Sequence, residues 1–193
     1  MSIDSLQYEK KLIEIIKLSP TLVEVFELSR KLNLEQHYIG AGCIAQTVWN
    51  YLIGNPFGYG IEDIDIVYFD TDLTYEKEER IIKSGKEVFC KLPIKVDIKN
   101  QARVHLWYKD KFGIDLKPYS SLEEAIDSWP TTSTSLGVRL DQNGEWKVYS
   151  PYGLEDLFQL KIMANKKLIT QDIYKNKYEK WKRKWPELDI IPW

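Results

Sequence analysis

Ile61-Glu62-Asp63-Ile64-Asp65-Ile66-Val67-Tyr68-Phe69 alternates acidic and apolar side chains before it turns aromatic. Side chains alternate across a β-strand, so this run places Asp63 and Asp65 on one face and Ile64, Ile66 and Tyr68 on the other. At about 3.3 Å of rise per residue the two aspartate Cα atoms lie roughly 6.5–7 Å apart. A second run, Ile94-Lys95-Val96-Asp97-Ile98, brings a third aspartate. Carboxylates set within strands are costly unless a cation neutralises them, because unpaired buried charge is among the most expensive features a fold can carry. A divalent metal is the expected compensation.

The rest of the chain frames that site. Its 193 residues suit one large domain, or a core with a small appendage. The 44% hydrophobic and 29% charged fractions are those of a globular protein. A net charge of −2 gives the whole molecule no electrostatic reason to seek nucleic acid or acidic membranes. No apolar run approaches a membrane span and the N-terminus lacks the apolar core of a signal peptide, so the expected location is the cytoplasm, with no membrane partner. Cys43 and Cys90 match no zinc or disulfide spacing and read as buried small hydrophobes.

Helical spacings (Leu12, Ile13, Ile16; then Leu22, Val25, Phe26, Ser29, Leu32) predict a helical pair over residues 1–34, with Ser19-Pro20 as stop and restart. A mixed sheet core is expected over 35–150. It opens with a short strand, His37-Tyr38-Ile39, and a turn, Gly40-Ala41-Gly42, into a helix ending near Gly54. The carboxylate strand follows, then a charged helix from about Thr74. Lys95 to Tyr108 alternates again, which puts Asp97, Lys99, Gln101, Arg103 and His105 on one face if the strand stays regular. Ser121-Leu122-Glu123-Glu124 reads as a capping box, and Leu136–Leu140 with Glu145–Tyr149 as a hairpin. Over 151–193 two helices are expected, one from Ser150-Pro151 to about Ala164 and a basic one over about Gln171–Trp185. The fold class is therefore mixed α/β, in the α+β sense.

Gly40-Ala41-Gly42-Cys43-Ile44-Ala45 has two readings. It satisfies the dinucleotide fingerprint G-x-G-x-x-G/A, which would make the protein an NAD-binding one. Against this stand a first strand only about three apolar residues long and the lack of a second matching βαβ unit. The other reading is a close approach of backbone to a triphosphate, with the N-terminus of the following helix facing the anion. There is no P-loop lysine pattern, and an EF-hand from Asp63 fails because its sixth position is Tyr68 and its twelfth Thr74.

Gly-Ala-Gly before a helix, then Asp63-Ile64-Asp65, then Asp97 on a later strand, resembles the DNA polymerase β-like nucleotidyltransferase superfamily. The closer resemblance is to a small bacterial family within it, whose members are named only as nucleotidyltransferase-like. It is carried by Gly40-Ala41-Gly42 with Gln46, Thr47, Val48 and Trp49; by Asp63-Ile64-Asp65-Ile66-Val67-Tyr68-Phe69-Asp70; by Lys99-Asn100-Gln101-Ala102-Arg103-Val104-His105; and by Pro151-Tyr152-Gly153-Leu154 with Asp156-Leu157. It covers roughly residues 35–185. Many superfamily members carry Gly-Gly or Gly-Ser where this chain has Gly40-Ala41-Gly42. The resemblance implies a polymerase β-like mixed sheet with helices packed on it and extra helices at both ends. It implies transfer of a nucleoside monophosphate from an NTP donor to an acceptor hydroxyl on a small molecule, RNA or protein. Asp63 and Asp65 would hold Mg²⁺ on the triphosphate and Asp97 would complete a second Mg²⁺ site, with Mn²⁺ able to substitute. Two such ions about 3.5–4 Å apart stabilise the entering and leaving oxygens. Gly40, Ala41, Gly42, Gln46, Asn100, Gln101, Arg103 and His105 would bind the nucleotide.

Each of these positions also has a plainer reading. Arg103 and His105 serve the triphosphate or acid–base chemistry, or else satisfy buried polar groups. Asn100 and Gln101 meet base or ribose, or else end a strand. His37 reads as structural, and Asp70-Thr71-Asp72 as a cap for the next helix. The seven tryptophans read mostly as core. The last helix, with Lys175, Lys177, Lys180, Lys182, Arg183 and Lys184, reads as a solvated face with its aromatics turned inward, the rival being an RNA grip. A protein that binds NTP·Mg²⁺ without transferring anything is the remaining alternative.

Overall fold

The computed structural model describes residues 3–193. Two helices come first, α1 (Ile3–Lys17) and α2 (Pro20–Ser29). The Ser19 hydroxyl accepts from the Leu22 amide, and Pro20 fills the first helical position, where its missing N–H costs nothing. Strand β1 (His37–Gly40) is buried throughout and turns at Ala41 into α3 (Gly42–Ile53), which Gly54 closes with φ 84°. Then follow β2 (Asp63–Tyr68), α4 (Tyr75–Val88) and β3 (Lys95–Asn100). Helices α5 (His105–Phe112) and α6 (Leu122–Asp127) lead to a hairpin of β4 (Gly137–Leu140) and β5 (Trp146–Tyr149). The chain finishes with α7 (Glu155–Phe158), β6 (Lys161–Ile162), α8 (Gln171–Lys184) and β7 (Asp189–Ile190).

The main sheet has the order β3-β2-β1-β4-β5, and in it only β2 and β3 run parallel. β1 is antiparallel to β2, which removes the dinucleotide-binding reading, since that fold sets its first two strands parallel. One face of the sheet carries Ile39, Ile64, Ile66, Tyr68, Ile98 and Val138 into the principal core, together with side chains of α1, α2, α3 and α8. The other face buries Tyr38 and Val67 under Leu122 and Ile126 of α6. Among the described residues no helix is long and apolar enough to cross a membrane.

Several expectations change. The Lys95–Tyr108 alternation is not one strand. β3 stops at Asn100, whose Oδ1 accepts from the Ala102 amide and folds Gln101–Arg103 into a 3₁₀ turn leading to α5. Arg103 and His105 therefore do not share the face of Asp97. The helix expected from Ser150 to Ala164 shrinks to the single turn α7. Gly153 (φ 72°) and Leu160 (φ 56°) take left-handed backbone on either side of it, and Ile162 is claimed by pairing with Ile190. Cys43 is buried as expected, whereas Cys90 is exposed. Trp49, Trp181 and Trp185 are core, Trp129 and Trp146 are half-buried, and Trp107 and Trp193 are exposed.

Helix α8 turns Tyr174 and Trp181 inward, and the indole of Trp185 beyond it donates to Asn50 Oδ1 at 2.7 Å. Its lysines are largely spent on this chain. Lys180 and Lys184 each approach Glu62 at 2.7 Å, pulling the Glu62 carboxyl down to about 2, and Lys182 donates to the carbonyls of Pro186 and Leu188. That engagement favours an internal strap over an RNA grip.

Gly40 faces Gly137 across β1 and β4, and a Cβ there would lie 2.7 Å from the Leu136 carbonyl oxygen and 2.9 Å from the Trp129 ring. Backbone and a packed indole give little way. Gly40→Ala is expected to cost about 1–3 kcal/mol, the range for overpacking, read as a shift of the urea midpoint without a change of slope.

Candidate active site

The parallel register sets Asp63 against Lys95, Asp65 against Asp97 and Val67 against Lys99. Asp63, Asp65, Asp97 and Lys99 thus share the sheet face opposite the principal core. Like charges directly across a ladder repel, and two lysines meet them. Lys99 Nζ donates to Asp65 Oδ1 at 2.6 Å and lies 3.9 Å from Asp97 Oδ2. Lys95 Nζ lies 2.7 Å from Asp97 Oδ1. Asp63 has no such partner among the described residues. Its carboxyl is held above the usual aspartate range, first by burial and then by the charges of Asp65 and Asp97.

Among the described residues no three His, Cys, Asp or Glu side chains converge into a metal-holding group. The donor set still suits a hard divalent cation: three carboxylate side chains on one face, where burial first and then the charges of Asp65 and Asp97 raise the proton affinity of Asp63. The positive charge they require is supplied here by the ammonium groups of Lys95 and Lys99, so a cation bound at Asp65 would displace Lys99.

A cleft of about 220 Å³ opens over these strands. Asp65, Val67, Lys99 and Gln101 form its floor, and Ala41 and Gly42 at the start of α3 form one edge. Trp107, Tyr108 and Phe112 of α5 make an aromatic wall, with Tyr119, Trp129 and Thr134 beside it. Lys177 and Trp181 of α8 complete the rim. Ala41 has φ 55° and ψ −128°, a left-handed backbone that a Cβ disfavours. Its amide donates to the Leu136 carbonyl and its carbonyl accepts from Ala45, which holds the strained turn at the helix N-terminus.

The residues singled out from the sequence divide clearly. Ala41, Gly42, Asp65 and Gln101 line the cleft, and Asp63 and Asp97 share the carboxylate face. Gly40 lies outside it, its lack of a side chain explained by Leu136 and Trp129. Gln46 sits over Gly42, where a Cβ would be 3.1 Å from its Nε2. Asn100 is buried and spent on structure: Oδ1 accepts from the Asp70 and Ala102 amides and Nδ2 donates to the Asp70 carbonyl. Arg103 pairs with Glu78 at 2.8 Å and donates to the Leu73 carbonyl, away from the cleft. His105 begins α5 outside the cleft lining, its Nδ1 buried without a partner. Asp72 accepts from the amide and hydroxyl of Thr74, and Asp70 from the Asp72 amide, so both shape the approach to α4. His37 is buried, hydrogen-bonded through Nδ1 to the Leu34 carbonyl, and lowered in pKa chiefly by burial.

Three features of the cleft escaped the sequence reading. Lys99 had the right parity but no role. Lys177 looked like one more charge of a solvated helix, yet it is half-buried, its Nζ lies 5.0 Å over the Trp181 ring, and no carboxylate among the described residues pairs with it. Burial pushes its ammonium pKa down, against the pull of Asp65. The signal was available: Tyr174, Lys177 and Trp181 stand at i, i+3 and i+7, on one helix face. The third feature is the aromatic wall of α5: Trp107 and Tyr108 lay within what read as a strand, and Phe112 just beyond it.

A comparison with curated proteins found no match. Among solved structures, an NMR structure described as revealing a CCA-adding enzyme head domain is similar at a TM-score of 0.76 and 24% identity, over 95% of this chain and 96% of that one. That likeness is one of fold. Two structures of a tRNA-processing enzyme, an apo form and a complex, reach only 0.43 at 15% and 16% identity, covering 72% of this chain and 36% and 35% of theirs, too little to carry an argument. A family model described as nucleotidyltransferase matches residues 27–190. The carboxylate-floored cleft and the mixed sheet thus sit in a chain that belongs to this nucleotidyltransferase family, a family of nucleotidyl-transferring enzymes.

Proposed function

We propose that the cleft over β2 and β3 transfers a nucleoside monophosphate from an NTP to an acceptor hydroxyl, with Mg²⁺ held by Asp63, Asp65 and Asp97. The observation that carries this reading is the ladder pairing of Asp65 with Asp97, with Asp63 on the same sheet face, where Asp65 lines a cleft edged by a helix N-terminus. When bound, Mg²⁺ or Mn²⁺ would neutralise phosphate charge and favour ionisation of the acceptor hydroxyl. The other tasks fall to this chain's own side chains. Lys177, with no carboxylate partner among the described residues, suits the triphosphate, as does Lys99 once released from Asp65. The first-turn N–H groups of α3 and its dipole favour the same anion. The wall of Trp107, Tyr108 and Phe112 offers stacking surface for a base and keeps water from one side of it.

Lys99 resting on Asp65 supports a second reading, in which the protein binds NTP and transfers nothing. Incubating the purified protein with an α-labelled NTP and a cell lysate separates the two, since a pure binder labels no acceptor.

Two outcomes follow for the carboxylates. Asp63→Asn and Asp65→Asn are each expected to abolish transfer, by about 10³-fold or more, with unchanged circular dichroism; activity retained in either would remove them from the site. Asp63→Asn should also raise the melting temperature at neutral pH. A carboxyl raised in the folded state contributes stability when protonated and loses it as pH rises through the folded pKa, so the gain should fade in acid.

Lys177→Met should stabilise the fold at neutral pH, because a partly desolvated ammonium is removed. The same variant should weaken NTP binding about tenfold while leaving nucleoside binding unchanged, the loss expected of one charge-assisted hydrogen bond. Calorimetric titration with both ligands reads the difference.

A further inference from the structure

Residues 105–120 form α5 and the strand-free stretch after it, and they belong to neither hydrophobic core. Val104 just before them is 7% exposed and Leu122 just after them is fully buried, yet between 105 and 120 no residue is buried. The segment still carries Trp107, Tyr108, Phe112, Ile114, Leu116 and Tyr119. None of these packs against either core among the described residues. Trp107, Tyr108, Phe112 and Tyr119 line the cleft instead, so the cleft is the surface against which this apolar side is sheltered. Little else holds the segment. Gly113 ends α5 in left-handed backbone, φ 69°, with open space around it. From 114 to 118 the backbone makes no hydrogen bond among the described residues. The Lys109–Asp115 pair at 2.9 Å is exposed and internal to the segment. Tyr119 and Ser120 bond to Ser128 and Glu124, beside the second anchor. The remaining tie is Tyr108, whose hydroxyl donates at 3.1 Å to the carbonyl of Leu168, next to the cleft-lining Ile169.

We propose that residues 105–120 are a lid, which swings away to admit the nucleotide and closes over it, with the Tyr108–Leu168 hydrogen bond as its latch. The proposal rests on the reading of the cleft as an NTP site. Local opening costs least where few apolar groups are buried and few backbone bonds are made, and this segment meets both conditions. Val104 and Leu122 are its fixed ends, while Gly113 and the unbonded stretch 114–118 absorb the change of direction. A bound nucleotide gives the aromatic side chains the apolar partner that the two cores withhold. It therefore favours the closed arrangement by the contacts it makes there and not in the open one. Closure shields the reacting phosphate from water, and reopening then limits escape of the nucleotide.

The test is hydrogen exchange of the full chain, read by mass spectrometry, free and with Mg²⁺ plus non-hydrolysable analogues of ATP, GTP, CTP and UTP in turn, binding of each being measured by calorimetry. In the free chain the amides of 105–120 should exchange at least about 100-fold faster than those of β1 and β2, and an analogue that binds should slow them at least about tenfold. Tyr108→Phe keeps the ring and removes the latch. It should leave exchange in β1 and β2 unchanged and release the bound analogue about fivefold faster, the worth of one neutral hydrogen bond. An unchanged release rate in that variant would overturn the latch. Exchange over 105–120 as slow as in β1 and β2, or unaltered by an analogue that calorimetry shows to be bound, would overturn the lid and leave the transferase reading standing. A chain that binds none of the four analogues would remove both.

Discussion

Asp65 facing Asp97 across a parallel pair of strands is the constraint on which the rest of the site depends. Two carboxylates in that position repel, and the chain keeps them only with positive charge at hand. In this structure Lys95 and Lys99 provide it. The same register fixes the other side of the strand. Asp65 also pairs with Gly40 of β1, so the turn into α3 is tied to the carboxylates by the sheet itself. A helix N-terminus and a pair of acids are thereby held together, suited to an anion that arrives with its own cation.

The polar half of β2 is positioned by its apolar half. Ile64, Ile66 and Tyr68 are almost wholly buried in the principal core. A slip of one residue would carry Asp63 and Asp65 into that core, so the register is strongly specified. Helix α8 then closes the cleft from outside the sheet. Trp181 and Trp185 anchor it edge-on against Trp49, and Glu62, the residue before β2, clamps Lys180 and Lys184. Lys177, from the same helix, has no carboxylate partner among the described residues and lines the cleft.

Much of this was legible in the sequence, and the failures have physical causes. Alternation gave β2 and its two faces, Ser19-Pro20 gave the break between α1 and α2, and Gly54 gave the end of α3. The mixed sheet expected from the family resemblance is the one observed, with the family itself matched over residues 27–190. The second alternation misled because Asn100 turns its side chain to the backbone and ends the strand, information that periodicity does not carry. That one error spread to Arg103 and His105, whose supposed parity vanished with it, and hid α5 with its aromatic wall. The one-turn α7 was missed for a related reason: left-handed Gly153 and Leu160 interrupt a sequence with helical spacing. Gly40 was read as clearance for a ligand, yet it makes room for Trp129. Lys99 and Lys177 went unassigned because a lysine's partner is a tertiary fact, and their surroundings come from three distant segments.

The central claim is that the carboxylate face of β2 and β3 binds a triphosphate through a divalent cation. Calorimetric titration of the chain with a non-hydrolysable NTP analogue, once with Mg²⁺ and once with a chelator, tests it most directly. The account predicts binding that depends on Mg²⁺ and weakens at least about tenfold in chelator, because three carboxylates with only Lys95 and Lys99 to offset them would otherwise meet the phosphates. Equal affinity under both conditions would contradict it.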